Sequence, residues 1–291
     1  MASIRDRVVL ITGASSGIGR ALAERLLAGG HHVWGLARSN QADLAAREPR
    51  FRFRVCDLAD WKQVEEAAAG VAAEWAHLDA LVACAGVQGE IGRTVTADAE
   101  AWDATVHINL GGTFHAIRAF YALLSRAPRR AKIVCFSGGG ATKARPRFSA
   151  YGAAKTAIVR LVETIAEEER AAALDINAIA PGAIHTRLTD EVLALGPAAA
   201  GEAEYQAALK QKAQGAAPLR RALDLVEWLL SPASDGISGR LLSAPWDPWP
   251  ALAARRETLA GSDHYLLRRI TPAEPAQAKS AVPLKDPEVE Q

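Results

Sequence analysis

The chain has 291 residues, with 34 lysines and arginines against 33 aspartates and glutamates, a formal charge of +1. That balance excludes the one-signed field of a nucleic-acid binder or a polybasic membrane-surface protein, and no apolar run approaches the ~18 residues needed to span a bilayer. Apolar residues make up 49% and charged residues 23%, a globular composition large enough to bury a substantial core without staples.

The first apolar run, residues 8–11, reads as a buried strand; it follows Asp6 and Arg7 and is too short for the apolar region of a signal segment. A glycine-rich turn follows. Ile18, Ala21, Leu22, Leu26 and Leu27 then mark a helical stripe that Gly29-Gly30 stops. Strands are expected at 32–37 and 51–56, and a helix from an Asp60 N-cap to about residue 75. Further strands are expected at 78–83, 131–136 and 174–179. One or two helices should occupy 99–124, and a long one 150–172, with Ile158, Leu161, Val162 and Ile165 on one side. Strands alternating with helices predict a doubly wound parallel sheet, and no internal repeat is present.

Two stretches leave this rhythm. Residues 187–217 are rich in alanine and glycine with Pro197 inside, and residues 246–270 carry a Trp/Pro cluster and a short helical stretch near 251–261. The expected division is a main domain over 1–245, an irregular C-terminal extension over 246–270 packing on it, and a disordered tail over 271–291. Cys56, Cys84 and Cys135 are odd in number and widely spaced. They predict neither a disulfide framework nor a metal site, but small buried side chains in a reducing, cytoplasmic compartment.

The turn Thr12-Gly13-Ala14-Ser15-Ser16-Gly17-Ile18-Gly19 lies between the first strand and the first helix. Gly13 permits the tight turn, Gly17 lets backbone approach a pyrophosphate, and Gly19 lets helix and strand pack closely, with free N–H groups at the helix start. Twenty residues beyond Gly17, where a carboxylate would bind a ribose 2′-hydroxyl, stand Ala37 and then Arg38. An arginine there suits a 2′-phosphate, so NADP(H) is favoured over NAD(H). Tyr151 and Lys155, at i and i+4, share one side of a helix. The ammonium should lower the phenol's pKa and make it a general acid or base.

These motifs together resemble the short-chain dehydrogenase/reductase family over roughly residues 5–243, with Asp57, Ala85-Gly86, Asn109, Pro181-Gly182 and Thr186 also in place. The resemblance implies a Rossmann fold and a carbonyl/alcohol oxidoreductase working on a small-molecule substrate. Gly13, Ser15, Ser16, Gly17, Ile18, Gly19, Arg38, Ser39, Asp57, Leu58, Ala85, Gly86, Asn109, Tyr151, Lys155, Pro181, Gly182, Ile184 and Thr186 would contact the cofactor. Asn109 would also hold a water relaying protons to Lys155, and residues 187–217 would close as a lid. A homodimer or homotetramer is implied, built on the helices at about 100–124 and 150–172.

The chain also departs from the pattern. The family's serine, thirteen residues before the tyrosine, falls at 151 − 13 = 138, which is Gly138. Either the flexible Gly138-Gly139-Gly140 run lets Ser137 orient the substrate oxygen, or a backbone N–H or water replaces the hydroxyl. Ala83-Cys84 stands where the family usually has two asparagines, and Trp246 and Trp249 follow the last strand. These tryptophans either anchor a cap or subunit clasp, or are core-edge aromatics. Two rival functions remain open: a cofactor-binding regulator or scaffold without turnover, and altered chemistry such as imine reduction.

Overall fold

The computed structural model describes residues 6–269; the tail expected over 271–291 lies outside them. In chain order the first half contains β1 (Val8–Thr12), α1 (Gly17–Ala28), β2 (His32–Ala37), α2 (Ala42–Arg47), β3 (Phe51–Val55), α3 (Trp61–Glu74), β4 (Ala80–Ala83), α4 (Ala99–Val106) and α5 (Gly112–Leu124). There follow β5 (Ala131–Phe136), α6 (Ser149–Glu168), β6 (Leu174–Ala180), α7 (Arg187–Ala200), α8 (Glu202–Ala213), α9 (Ala217–Leu230), β7 (Leu241–Ser243) and α10 (Arg256–Ala260).

The seven strands form one parallel sheet in the order β3-β2-β1-β4-β5-β6-β7. Helices cover both sides, so the inner strands are mostly apolar, and β4 and β5 are buried along their whole length; the buried Lys132 of β5 is paired with Asp175 of β6. On one side Leu22, Ala23 and Leu26 of α1 meet Leu225, Val226 and Leu229 of α9. On the other, Val64 and Val71 of α3, Ile117 and Phe120 of α5, and Ile158 and Val162 of α6 fill the core. Each such side chain taken from water contributes about 2 kcal/mol. The strand order reverses between β1 and β4, and a doubly wound sheet opens its ligand crevice at the carboxyl ends there.

Several expectations need correction. β3 ends at Val55, β4 begins at Ala80 and α6 ends at Glu168, each shorter than the apolar runs suggest. Asp60 does cap α3, accepting from the Lys62 and Gln63 N–H groups at 2.9 and 3.3 Å. The helical run over 99–124 is interrupted by a π-helical turn at His107–Gly111, centred on Asn109. Residues 187–217 are mostly helical: α7, kinked where Gly196 takes φ 74° before Pro197, then α8. The α6 stripe is split, since Ile158 and Val162 are fully buried whereas Leu161 and Ile165 are half-buried.

The extension folds back onto the main body. Trp249 is buried against Trp228, their rings 5.7 Å apart, a core-edge aromatic; Trp246 is 84% exposed. Arg240, just before β7, is buried and donates to the carbonyls of Leu259, Ser262 and His264. Cys56 and Cys135 are buried, Cys84 is half-buried, and all three are free thiols.

Candidate active site

The turn between β1 and α1 fits its expected task in detail. A Cβ on Gly13 would lie 2.9 Å from Ala85 Cα, and one on Gly19 would lie 2.4 Å from the Gly13 carbonyl oxygen, so neither position admits a larger residue. Gly13 and Gly17 both take positive φ. Ser16 caps α1 with no side-chain bond to the helix and no acidic residue in the first turn, which leaves the helix start electrostatically open to an anion. Ser16 and Gly17 are exposed, Ser15 and Ile18 half-buried.

The other segments converge on this turn. Thr12 Oγ1 accepts from the Ala85 N–H at 3.1 Å, tying β1 to the Ala85-Gly86 corner after β4. A Cβ on Gly17 would sit 3.7 Å from Thr186 Cγ2, which brings Pro181–Thr186 over the glycine turn. Thr186 begins α7 in a reciprocal capping box with Thr189. Ile184 is buried; Pro181 is half-buried and Gly182 exposed. Arg38 and Ser39 are exposed beyond the tip of β2. Asp57 is held locally, its Oδ1 accepting from Ala59 N–H and its own N–H donating to Gln63. Leu58 is buried, its carbonyl meeting His115 of α5.

Tyr151 and Lys155 stand on the first turns of α6, with Lys155 Nζ 5.5 Å from the Tyr151 ring centroid. Lys155 is buried and donates to the Phe136 carbonyl at 2.9 Å; burial holds its pKa down at about 8. Tyr151 runs against the sequence expectation. Burial raises its pKa above the ordinary phenol value, and the cation that opposes this rise is Arg145; Cys84 adds to it. Asn109 is fully buried. Its Nδ2 donates to the Val87 and Thr105 carbonyls, and its Oδ1 accepts from the Val87 N–H at 3.3 Å. Gly86 lies between Asn109 and Lys155: a Cβ there would be 2.7 Å from Asn109 Oδ1 and 3.4 Å from Lys155 Nζ.

Ser137 is buried, and its hydroxyl donates to the Lys155 carbonyl at 3.1 Å. At Gly138 an added Cβ would be 2.9 Å from Tyr151 Oη, so the phenol occupies the space beside the missing serine.

Sequence reasoning missed a second layer around the phenol. Arg145 stacks on Phe148 with its guanidinium carbon 3.8 Å from the ring centroid, and reaches to 5.5 Å from the Tyr151 ring centroid. Its Nη2 donates to Glu204 of α8 at 2.8 Å. Arg147, at φ 73°, donates to the Ala198 and Ala199 carbonyls at the end of α7. No spacing rule links 145 to 204; the one signal was two arginines directly after a glycine-rich loop.

The comparisons with known proteins agree with this geometry. A family model described as short chain dehydrogenase matches residues 7–194. A short chain dehydrogenase of Monascus purpureus is 30% identical over 267 residues, 88% of this chain and 86% of its own. The levodione reductase of Leifsonia aquatica is 34% identical over 193 residues, 64% of this chain and 72% of its own. The solved structure of an aldohexose dehydrogenase from Thermoplasma acidophilum superposes with a TM-score of 0.71 at 26% identity, covering 82% of this chain and 92% of that one. With more than half its length matched by the family model and a crevice built of the same segments, the chain belongs to the short chain dehydrogenases, a family of NAD(P)-dependent oxidoreductases.

Proposed function

We propose that the protein interconverts a carbonyl and an alcohol on a small-molecule substrate, with NADP(H) preferred over NAD(H) and Tyr151 as general acid and base. The observation that carries this is the meeting of Asn109 and Lys155 on Gly86, at the edge of the glycine cradle, with the Tyr151 ring 5.5 Å from Lys155 Nζ. When bound, the cofactor supplies or accepts the hydride. In the reducing direction Tyr151 Oη gives its proton to the substrate oxygen, and in the oxidising direction it takes one. Lys155, with a pKa lowered to about 8, exchanges protons readily near neutral pH. Asn109 fixes the Gly86 corner through Val87 and keeps one acceptor site on Oδ1 for a relay water. Ser137, bonded to the Lys155 carbonyl, supports the reading in which a backbone N–H or water meets the substrate oxygen.

Three further parts of the reading concern its surroundings. Arg38, exposed past β2 with no carboxylate at Ala37, is the reason to favour a 2′-phosphate. Helices α7 and α8 form the lid. Helices α4, α5 and α6 form the subunit interface of a homodimer or homotetramer, on a groove lined by Val106, Leu110, Phe114 and Leu161.

The test is titration of the purified protein with NADPH and NADH by tryptophan fluorescence, followed by a carbonyl substrate panel. NADPH should bind at least tenfold more tightly, a difference of about 1.4 kcal/mol, and Arg38→Asp should erase that margin. Tyr151→Phe should lower kcat by about 10²–10⁴ while leaving cofactor affinity unchanged. Full activity in Tyr151→Phe overturns the acid–base role. Binding without turnover on any carbonyl puts the regulator reading first.

A further inference from the structure

We propose that Arg145 is a positioning residue whose charge favours the phenolate of Tyr151, and that Glu204 of α8 moderates it. The inference rests on the reading of Tyr151 as the proton-transfer group.

Two cations lie at the same distance from the Tyr151 ring, 5.5 Å from its centroid: Lys155 Nζ and the Arg145 guanidinium carbon. They differ in constancy. Burial lowers Lys155 to about 8, so its charge fades in the range where an alcohol is oxidised most readily. A guanidinium keeps its charge throughout. Arg145 is also held in place. Phe148 supports its plane at 3.8 Å, Glu204 accepts from Nη2 at 2.8 Å, and the buried Gln88 amide lies against the guanidinium; since a guanidinium only donates, the orientation that satisfies both groups turns the amide oxygen to Nη1 at 2.9 Å and Nη2 at 3.2 Å. The glycine run packs alongside it: Cβ atoms on Gly139 and Gly140 would stand in ordinary contact with Arg145 Cδ at 3.8 Å and Cβ at 3.5 Å. With glycine at 138 the phenol has no serine hydroxyl beside it.

Among the described residues, the titratable or charged groups acting on Tyr151 are Lys155 from its own helix, Cys84 after β4 and Arg145 from the β5–α6 loop. Glu204 acts through Arg145. The apolar cluster around Tyr151 is completed by Phe148, Ile91, and Val192, Leu193, Ala200 and Ala208 of α7 and α8. Burial raises the phenol, and Arg145 is the first group to pull it back.

The test follows Tyr151 itself, in enzyme saturated with the oxidised nicotinamide cofactor it binds more tightly. Tyrosine labelled with ¹³C at Cζ gives four resonances at most, and Tyr151→Phe assigns the one that matters. The Tyr151 inflection should move up by about one pH unit in Arg145→Met and return most of the way in Arg145→Lys. Glu204→Gln should move it down, because a guanidinium freed of its carboxylate acts more strongly on the phenol. A latch that merely holds α8 predicts the same sign, or no shift, in both Arg145→Met and Glu204→Gln; that result overturns the proposal. Should Arg145→Met fail to fold, Arg145→Lys and Glu204→Gln still decide it, since an unmoved inflection in Glu204→Gln is equally fatal. Undiminished turnover in Tyr151→Phe would instead remove the acid–base reading beneath it, whatever the inflections do.

Discussion

Lys155 is a lysine out of water, with Phe136 O as its one hydrogen-bond acceptor among the described residues. A lowered pKa means that the unfolded chain binds more protons than the folded one between pH 8 and the ordinary lysine value. The lysine therefore costs stability at neutral pH, and the cost shrinks as pH rises through that window. The thiols of half-buried Cys84 and buried Cys135 act oppositely: desolvation pushes each up to about 12, so each makes the folded state less favourable at high pH. The clean readout is a difference. Lys155→Met should be more stable than the parent at pH 7 by about 1–3 kcal/mol, after allowing for the unpaired Phe136 carbonyl. The gap should close by pH 10; a gap independent of pH, in denaturant unfolding of the cofactor-free protein, would refute the argument. Residue by residue, the sequence disclosed the pairings that have a spacing rule, such as Tyr151 beside Lys155 on one side of α6. It did not disclose Arg145, whose partners Gln88, Tyr151 and Glu204 come from three different segments.

At the scale of elements, the loop between β5 and α6 ties down α7 and α8. Arg147 adopts φ 73°, a backbone conformation costly for any residue with a Cβ, and in return binds both the Ala198 and Ala199 carbonyls just past the Gly196-Pro197 kink. Arg147→Ala keeps the unfavourable backbone and loses both bonds. It should speed hydrogen exchange in α7 and α8 by about tenfold, leaving β1, β4 and β5 unchanged; equal exchange throughout would show that these two helices are held by their apolar contacts alone. The sheet was legible because buried parallel strands are short apolar runs: β2 and β5 fall on the expected residues. The π turn at Asn109 was not, since it depends on bonds to Val87 across the crevice. Helix α9 carries its signal in Leu219, Leu223, Val226 and Leu230 at helical spacing, next to the alanine-rich stretch.

At the scale of the whole molecule, α4, α5 and α6 leave an apolar groove on the surface, with Phe114 47% exposed at its edge. An exposed phenylalanine beside half-buried Leu110 and Leu161 is costly surface for a lone subunit. Light scattering of the parent should give two or four times the 30.9 kDa subunit mass. Phe114→Glu should reduce it to one by placing two carboxylates in a closed apolar seam. A single-subunit mass for the parent would return this groove to another use. Among the described residues no helix is long and apolar enough to cross a membrane.

The grip of Arg240 on the carbonyls of Leu259, Ser262 and His264 alters what the stretch after residue 245 means for the rest of the chain. It looks like an appendix, loosely wound and poor in regular structure, and a protein engineer would be tempted to trim it. Yet it is the keystone over a buried cation beside the last strand. Ending the chain at 245 would strip that guanidinium of all three acceptors at once, a loss of about 3–5 kcal/mol where one partner of a buried charge is removed. Against a margin of about 10 kcal/mol, that is roughly a third to a half of a typical domain's stability. The appendix is thus a term in the folding of the sheet it follows, and the stretch between 245 and 264 is a poor place to shorten or relabel this protein.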